Sequence, residues 1–440
     1  MKILKAYRFR LKTNPEIEDK FRRQSGCTRF VWNKALSLNK ERLEHKIPLI
    51  WYNDMAGFLK LWKQSKEYGF LKEAHSQVLQ QALKDLEKAF KDFLNHDKPA
   101  HEECRLQKNK GFPNFKKKNI HNSFRYPQGF KIEGNRIFLP KIGWVGFFKS
   151  RDIRGIPKNV TIKKENSHWY VSIQTEEEIP EQAHPKIGSI IGIDVGIVHF
   201  VSIADGTLNE QFIDFPSPLK MYSKRLAREQ RKLSRKKKFS KNWIKQKNRI
   251  SKIHEDISNI RKDYLHKAST AIAKNHGIVG VEDLKIKNMI KSARGTKENP
   301  GCSVRAKSGL NRAILNQGWG MFKEMLEYKL NYSGGILVRV FPKGTSITCP
   351  ECSYESKENR KSQAVFVCKS CGFTHNADWV GAEIVRQRTA KKLGLVAPLI
   401  YPAVGHTVEA CGGKGHKPPY EAGTSRKEQS STAPLGISNL

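Results

Sequence analysis

The amino-acid sequence predicts an α/β protein of several domains. The chain has 440 residues, which is enough for two or three domains that each bury a core of their own. Short runs rich in β-branched residues alternate with long segments of helical periodicity, a pattern typical of mixed α/β architecture. Two C-x-x-C pairs toward the C-terminus indicate a small metal-binding module in addition.

The N-terminal half alternates between strands and helices. Residues 2–12 have the alternation of a strand with one basic face, and Asn14-Pro15 is typical of a helix start. From there to residue 95 the pattern is helical, and the apolar stripe of residues 78–93 predicts a core helix. Residues 123–175 form short β-rich runs broken by Gly, Pro and Asn. This pattern predicts a small barrel or sandwich that the N-terminal strand completes.

The second half begins with three predicted strands within residues 190–215, and a long helical region follows over residues 217–275. Residues 285–310, rich in Lys, Gly, Ser and Asn, are predicted to be mobile. Three further elements are predicted around them: a strand over 277–284, a helix over 314–330 and a strand over 335–342.

The charge balance favours a polyanionic partner. Lys and Arg number 81 against 42 Asp and Glu, a net charge of +39, and nucleic acid fits this field better than a ribosome-like or anionic-membrane role. Between Lys224 and Arg249 stand thirteen cations and one acid, Glu229, which predicts a helical hairpin with a phosphate-binding face. Aromatic residues interleaved with lysines in residues 112–118 suit base stacking, although a solvated loop fits equally well.

Four of the eight cysteines are closely grouped, in the pairs Cys349-x-x-Cys352 and Cys368-x-x-Cys371. No window holds about 18 continuous apolar residues, and the N-terminus lacks the apolar region of a signal peptide, so we expect a soluble cytoplasmic protein without membrane association. Disulfides are rare in that compartment. Two pairs fifteen residues apart have the spacing of a structural Zn²⁺ ribbon, whereas a redox dithiol needs one pair.

Asp194 lies among apolar residues in the β-rich run 190–203. Burying an ionised carboxylate is costly unless a hydrogen-bond donor, a cationic side chain or a metal compensates. A strand-end Asp satisfied by neighbouring amides is the alternative to a functional acid here. The run by itself leaves both interpretations open.

Two further acids favour the functional interpretation. Glu282 ends the predicted strand 277–284, and Asp378 opens a predicted helix after the last cysteine, where a capping role is the alternative. A ribonuclease H-like sheet brings three carboxylates together from such positions. Two divalent ions about 4 Å apart would then activate a water and stabilise the leaving oxygen, and hard oxygen ligands select Mg²⁺ or Mn²⁺.

The three acids, the four cysteines and several short motifs, taken in their order along the chain, resemble those of the TnpB family. Its members are transposon-encoded RNA-guided DNA nucleases that are related to the type V CRISPR effectors. The resemblance runs over almost the whole chain. One departure is Val380, where many members have Asn two residues after the last acid. Along the chain, the matching motifs are Ser25–Asn33, Phe112–Lys116, Ser123–Pro127, Leu139–Gly143, Gly192–Gly196, Val281–Leu284 and Thr345-Ser346. The last of these leads into the four cysteines and Asp378.

The resemblance implies a domain order. Residues 1–13 and 123–180 correspond to a β-barrel wedge domain, which the helical recognition domain of residues 14–122 interrupts. Residues 186–345 and 373–392 correspond to a RuvC-like nuclease domain with an RNase H-like sheet, into which a zinc ribbon of residues 346–372 is inserted. Residues 393–440 drift into Gly, Pro, Ser and Thr without periodicity, which predicts a disordered tail.

The resemblance also implies an activity and its partners. Asp194, Glu282 and Asp378 would be the catalytic acids and the ligands of Mg²⁺ or Mn²⁺, while the four cysteines would hold Zn²⁺. The expected partners are a guide RNA derived from the 3′ end of the transposon and a double-stranded DNA target beside a short motif, with a single protein molecule bound to its RNA.

Two other functions stay open at this stage. An RNA-guided repressor that binds DNA without cutting it would be expected to lack one of the acids. An unguided resolvase or transposase on the RNase H fold would need neither the large N-terminal half nor so heavy a basic charge.

Overall fold

The structure is a computed structural model that describes residues 1–94, 111–118, 120–181, 183–296 and 298–395. It has a mixed α/β fold with one sheet of four strands, one of five, and two smaller sheets of three and two strands. Within the described ranges, no helix combines the length and the apolar character needed to cross a membrane. The tail that the sequence predicts to be disordered, residues 393–440, lies outside the described residues from 396 onward.

An antiparallel β unit forms the first part of the fold. Its strands are β1 (Lys2–Arg10), β2 (Ser123–Tyr126), β3 (Lys131–Glu133), β4 (Arg136–Leu139), β5 (Gly143–Gly146), β6 (Ile156–Glu165) and β7 (His168–Glu178). β1 pairs with β7 along its whole length. The N-terminal strand therefore belongs to this sheet, although helices separate it from the other strands in the sequence. The sheet order is β1-β7-β6-β2, and a bridge between Leu11 and Phe147 links it to the sheet of β3, β4 and β5. Closure into a full barrel stays a prediction.

Among the described residues between β1 and β2 are three α-helices. They are α1 (Pro15–Glu44), α2 (Tyr52–Gln64) and α3 (Ser76–Leu94). The side chain of Asn14 caps α1 by accepting a hydrogen bond from Ile17 N at 2.8 Å, and Pro15 occupies the first turn, as the sequence predicts. The predicted apolar stripe of α3 is buried against the other two helices, so these helices share one core.

The segment of residues 111–118 packs on this helical core. Phe112 makes edge contacts with Phe90 and Phe93, at 5.6 and 5.4 Å between ring centroids. The Lys116 ammonium lies 3.6 Å from the centre of the Trp32 ring. Neither a solvated loop nor an open stacking surface therefore describes Phe112 and Lys116, because both side chains already have partners in the folded chain.

The second large sheet has five strands. They are β8 (Ile190–Asp194), β9 (Val201–Ala204), β10 (Gln211–Ile213), β11 (Ile278–Glu282) and β12 (Ile336–Val340), in the order β10-β9-β8-β11-β12. β8 is therefore the central strand. It runs antiparallel to β9 and parallel to β11, which is parallel to β12. The C-terminal ends of β8 and β11 consequently lie at one edge of the sheet.

Helices surround this sheet and extend from it. They are α4 (Pro218–Ser234), α5 (Lys241–Asn275), α6 (Ile286–Met289), α7 (Val304–Gln317), α8 (Trp319–Ser333) and α9 (Ala377–Lys392). α4 and α5 pack on each other through a small apolar core and form the predicted hairpin. α9 follows the short hairpin of β13 (Val365–Val367) and β14 (Thr374–Asn376).

Two sequence predictions in this region are wrong. Part of the segment predicted to be mobile is helical, because α7 begins at Val304; Lys307 Nζ and Asn311 Nδ2 donate to the carbonyls of Met289 and Ile290 at 2.6 and 2.9 Å and fix it in place. The single helix predicted over 314–330 is two helices. Gly318, with φ of +76°, ends α7 and starts α8, since glycine tolerates the left-handed backbone of a helix end.

Candidate active site

Three acids from separate elements converge at the C-terminal edge of the five-stranded sheet. Asp194 ends β8 and Glu282 ends β11. Ile193 pairs with Val281 in parallel register, so the two acids that follow lie on neighbouring strands at the same level. Asp378 lies in the first turn of α9, which packs across β8. The fold thus brings together the three acids that the sequence singles out.

Glycine residues allow α9 to lie close to the sheet. A methyl group built on Gly192 would lie only 1.9 Å from the carbonyl oxygen of Ala382, and one built on Gly280 would lie 2.0 Å from Thr389 Oγ1. Gly381, one turn after Asp378, leaves the room that the Asp194 carboxylate occupies, because a methyl group there would lie 3.0 Å from Asp194 Oδ2. The absence of side chains at these positions therefore sets the distance between strand and helix.

The acids interact electrostatically. Loss of hydration, followed by the charges of Glu282 and Asp378, raises the pKa of Asp194 to about 7, and the guanidinium of Arg360 opposes this rise. Burial also raises the pKa of Glu282, against a hydrogen bond from Thr345 and the charge of Lys323. The cluster therefore holds more negative charge than its surroundings neutralise.

This pKa gives a testable pH dependence. In the unfolded chain the pKa of Asp194 returns to about 3.9. Between about pH 4 and pH 7 the folded protein then binds more protons than the unfolded chain, so this group makes folding less favourable as the pH rises. In buffer without added Mg²⁺, Asp194→Asn is expected to raise the melting temperature at about pH 8, by about 2–4 °C for each kcal/mol recovered. At about pH 4 the gain should vanish; an equal gain at both pH values would contradict the charge repulsion.

Three side chains outside the predicted set of site residues contact these acids. Thr345 Oγ1 donates a hydrogen bond of 2.6 Å to Glu282 Oε1, and the Lys323 ammonium donates to the carbonyl oxygen of Glu282. Arg360, from the cysteine-rich insertion, lies 3.4 Å from Asp378 Oδ1. Thr345 belongs to one of the matching motifs, so a signal for it was present, whereas no local pattern distinguishes Lys323 or Arg360 from the many other cations.

The contact between Thr345 and Glu282 leads to a second prediction. Thr345→Val keeps the volume of the side chain but removes its hydroxyl, and the buried carboxylate of Glu282 then loses its donor. Losing a group that orients a ligand typically costs about 10- to 100-fold in metal affinity or activity. We expect DNA cleavage to need a correspondingly higher Mg²⁺ concentration for its half-maximal rate. Thr345→Ser, which keeps the hydroxyl, should retain the original dependence; loss of cleavage in both variants would point to packing instead.

The carboxylates fit a hard divalent cation by their chemistry. They supply oxygen ligands from three elements, and their mutual repulsion is the condition that a bound cation relieves. In the part of the chain that the structure describes, they are gathered less tightly than the cysteines, because no group of three carboxylates has all its ligand atoms within 4.8 Å. Asp194, Glu282 and Asp378 are the residues that would hold Mg²⁺ or Mn²⁺.

The four cysteines form a separate cluster. Their sulfur atoms all lie within 4.8 Å of one another, with 3.6 Å between Cys349 and Cys371 and 3.5 Å between Cys352 and Cys368. Four thiolates at such distances are the closed donor set of a structural zinc site, which leaves no position for a substrate. The cluster fits Zn²⁺ as the sequence spacing predicts.

Removing one of these thiols is expected to remove the metal. Cys349 is fully buried, and Cys349→Ser should reduce the zinc content of the purified protein from about one atom per chain to none. Because the binding energy of a structural metal is also folding energy, the melting temperature should fall. Cys302→Ser is the matched control, since Cys302 is exposed and lies outside the cluster. Equal zinc content in the two variants would refute the zinc site.

Three known family models match parts of this chain. The family OrfB_IS605, described as "Probable transposase", matches residues 170–293, which include Asp194 and Glu282. A "Cas12f1-like, TNB domain" matches residues 319–385, which include the four cysteines and Asp378. A "Helix-turn-helix domain" matches residues 1–47, where the structure has β1 and the single long helix α1.

Similar proteins cover nearly the whole chain. "Putative RNA-guided DNA endonuclease InsQ" of Escherichia coli (strain K12) is 44% identical over 94% of this chain and 95% of its own length. A "Putative RNA-guided DNA endonuclease" of Streptomyces pristinaespiralis is 28% identical over 86% of this chain and 87% of its own. The solved structure of the mini-RNA-guided endonuclease CRISPR-Cas_phi3 is 14% identical and covers 91% of this chain and 94% of its own, with a TM-score of 0.43. At 44% identity over nearly its full length with the first of these relatives, the chain belongs to the TnpB (OrfB_IS605) family.

Proposed function

We propose that this protein is an RNA-guided, Mg²⁺-dependent DNA endonuclease of a transposable element, which cuts DNA next to a short target-adjacent motif. The observation that carries the proposal is the convergence of Asp194, Glu282 and Asp378, whose charges act on one another at one edge of the sheet. Such a cluster repels itself unless a cation lies among its members. The two relatives named as RNA-guided DNA endonucleases support the same function.

In this proposal the protein holds and orients the three acids. When bound between them, Mg²⁺ or Mn²⁺ supplies activation of a water and stabilisation of the leaving oxygen. Thr345 donates a hydrogen bond to one oxygen of Glu282, and Arg360 places a permanent positive charge beside Asp378. The reaction is hydrolysis of a phosphodiester bond, with water as the nucleophile and no covalent protein intermediate.

We also propose that the chain is divided into four domains. Separate apolar cores support it: one in the β unit around Trp169, one among the helices around Leu83, and one on the five-stranded sheet around Phe322. Phe21 and Val78 of the helices pack into the core of the β unit, so these two parts share an interface. The proposed domains are a wedge (1–13 and 123–180), a helical recognition domain (14–122), a RuvC-like nuclease domain (186–345 and 373–392) and a zinc ribbon (346–372).

The proposed partners follow from the charge and from the relatives. A net charge of +39 suits a long nucleic acid, and the hairpin of α4 and α5 carries thirteen cations between residues 224 and 249. We propose that a guide RNA from the 3′ end of the transposon binds one protein molecule and reads a double-stranded DNA target by base pairing, a division of tasks that other guided nucleases use.

Reconstitution tests the proposal. RNA that copurifies with the full chain is sequenced, synthesised and returned to the RNA-free protein together with a plasmid library in which a stretch matching that RNA is flanked by randomised bases. Cleavage of matched DNA is expected, with no cleavage of unmatched DNA and none when either the RNA or Mg²⁺ is left out. Tight binding of matched DNA without a cut would instead favour a repressor, and cleavage without RNA would favour an unguided resolvase or transposase.

A further inference from the structure

The turn between α4 and α5 exposes an aromatic side chain. Phe239 is 72% exposed, and it is one of the few residues other than glycine with a left-handed backbone, at φ of +68°. A bulky residue adopts that conformation at a cost, and Asn or Gly would fill it more readily. A phenylalanine that is both solvated and strained contributes little to the folded core, and strained backbone of this kind is concentrated where proteins bind ligands.

A second aromatic ring lies next to it. Trp243, on the first turn of α5, is half-buried, and its ring centroid lies 5.6 Å from that of Phe239 at a tilt of 58°. Lys238 Nζ lies 5.3 Å from the centre of the Phe239 ring and Lys247 Nζ 5.4 Å from that of Trp243. We call Phe239, Trp243, Lys238 and Lys247 the hairpin-tip surface.

The charge around the hairpin-tip surface has one sign. Residues 235–247 contain seven Lys or Arg and no acid. Glu229, the one acid nearby, is nearly buried and faces inward, where its carboxylate accepts a hydrogen bond of 2.7 Å from Gln246 and also pairs with Lys232. The tip therefore presents exposed aromatic rings in a strongly positive field.

The chain holds this surface in a fixed position. Gln246 is buried and donates to both the carboxylate and the carbonyl oxygen of Glu229, which clamps α5 to α4 just behind the tip. Ser240 caps α5 by accepting a hydrogen bond of 3.1 Å from Trp243 N. A surface whose supporting helices are already clamped loses less conformational entropy when a ligand binds to it.

We infer that the hairpin-tip surface stacks an unpaired base of the bound RNA on Phe239, while the surrounding lysines bind the phosphates on either side of that base. Aromatic rings interleaved with cations are the pattern that binds single strands, because each base offers a flat face and each nucleotide one charge. RNA is favoured over intact duplex DNA, since RNA offers unpaired bases in loops and ends whereas a duplex keeps its bases stacked inside. The DNA strand that guide pairing displaces is also single, and a crosslink from position 239 distinguishes that strand from the RNA. This inference rests on the proposed function, because it assigns a contact to the RNA of that proposal.

Binding of a short fluorescent oligouridine strand to the full chain tests the stacking. Phe239→Ala is expected to weaken binding about tenfold, within the range known for a stacked base, and Phe239→Tyr should restore it. A strand of the same length without bases should bind the original protein and Phe239→Ala equally. Lys238→Gln is the contrasting variant: it should weaken binding to both strands and reduce the dependence on salt. Equal affinity of Phe239→Ala and the original protein for oligouridine would overturn the inference.

A crosslinking experiment identifies the partner. Phe239 is replaced by the photoreactive benzoylphenylalanine in the full chain, which is then loaded with its copurified RNA and matched DNA and irradiated. A crosslink to the RNA is expected. A crosslink only to DNA, or binding of phosphatidylserine vesicles that depends on Phe239 while RNA binding does not, would overturn the assignment. If guided cleavage proceeds normally while Phe239→Ala changes nothing, the inference fails and the proposed function stands; if the chain binds no RNA, both fail.

Discussion

Replacing Asp194 with Asn is expected to reduce guided DNA cleavage by about a thousandfold or more, equivalent to about 4 kcal/mol in the activation barrier, while leaving binding of RNA and matched DNA intact. The substitution keeps the shape of the side chain but removes the carboxylate that both other acids act on and that would hold the metal ion. Asp194 interacts electrostatically with both Glu282 and Asp378, so a change there affects all three acids directly.

A gel assay with matched DNA measures cleavage, and a filter-binding assay with the same RNA and DNA measures affinity. Asp263→Asn is the matched control, because Asp263 is an exposed acid on α5 whose ion-pair partner among the described residues is Lys267 and not a member of the acid cluster. That variant should cut normally. Cleavage at the original rate by Asp194→Asn would refute the assigned active site, and loss of binding together with cleavage would indicate a folding defect instead.

Gly192→Ala is expected to destabilise the protein by about 3 kcal/mol or more, at the upper end of what overpacking usually costs. The new methyl group would lie 1.9 Å from Ala382 O and 2.4 Å from Arg386 N, and both atoms belong to the backbone of α9. Backbone cannot move aside as the end of a flexible side chain can. The helix would have to shift away from β8, and Asp378 in its first turn would move with it.

Chemical unfolding and cleavage should therefore change together in Gly192→Ala. Gly309→Ala is the matched control, since Gly309 lies within α7 and a methyl group there meets nothing within 4 Å. Because alanine favours the helix over glycine by about 1 kcal/mol, the control variant should be slightly stabilised. A Gly192→Ala protein as stable and active as the original would show that α9 does not depend on this close approach.

Local sequence patterns were enough to single out the candidate acids and cysteines and to predict the kinds of element in which they lie. The short runs of β-branched residues form β8 and β11, and each strand ends in its acid. The helix predicted to open at Asp378 is α9. The cysteine spacing predicted the cluster that the structure contains. These features are readable because periodicity, capping and ligand spacing act over a few residues of chain.

The contacts that orient those acids are visible only in the tertiary structure. Thr345 contacts Glu282 across 63 residues, and Arg360 reaches Asp378 from inside the cysteine-rich insertion. Likewise, the packing of Phe112 on the helical core depends on neighbours distant in sequence. Side chains so far apart in the chain meet only after strands and helices pack, and their short-range patterns resemble those of any polar or apolar residue. Short-range sequence patterns thus predict the candidate site residues, whereas the geometry of these residues depends on how the strands and helices pack.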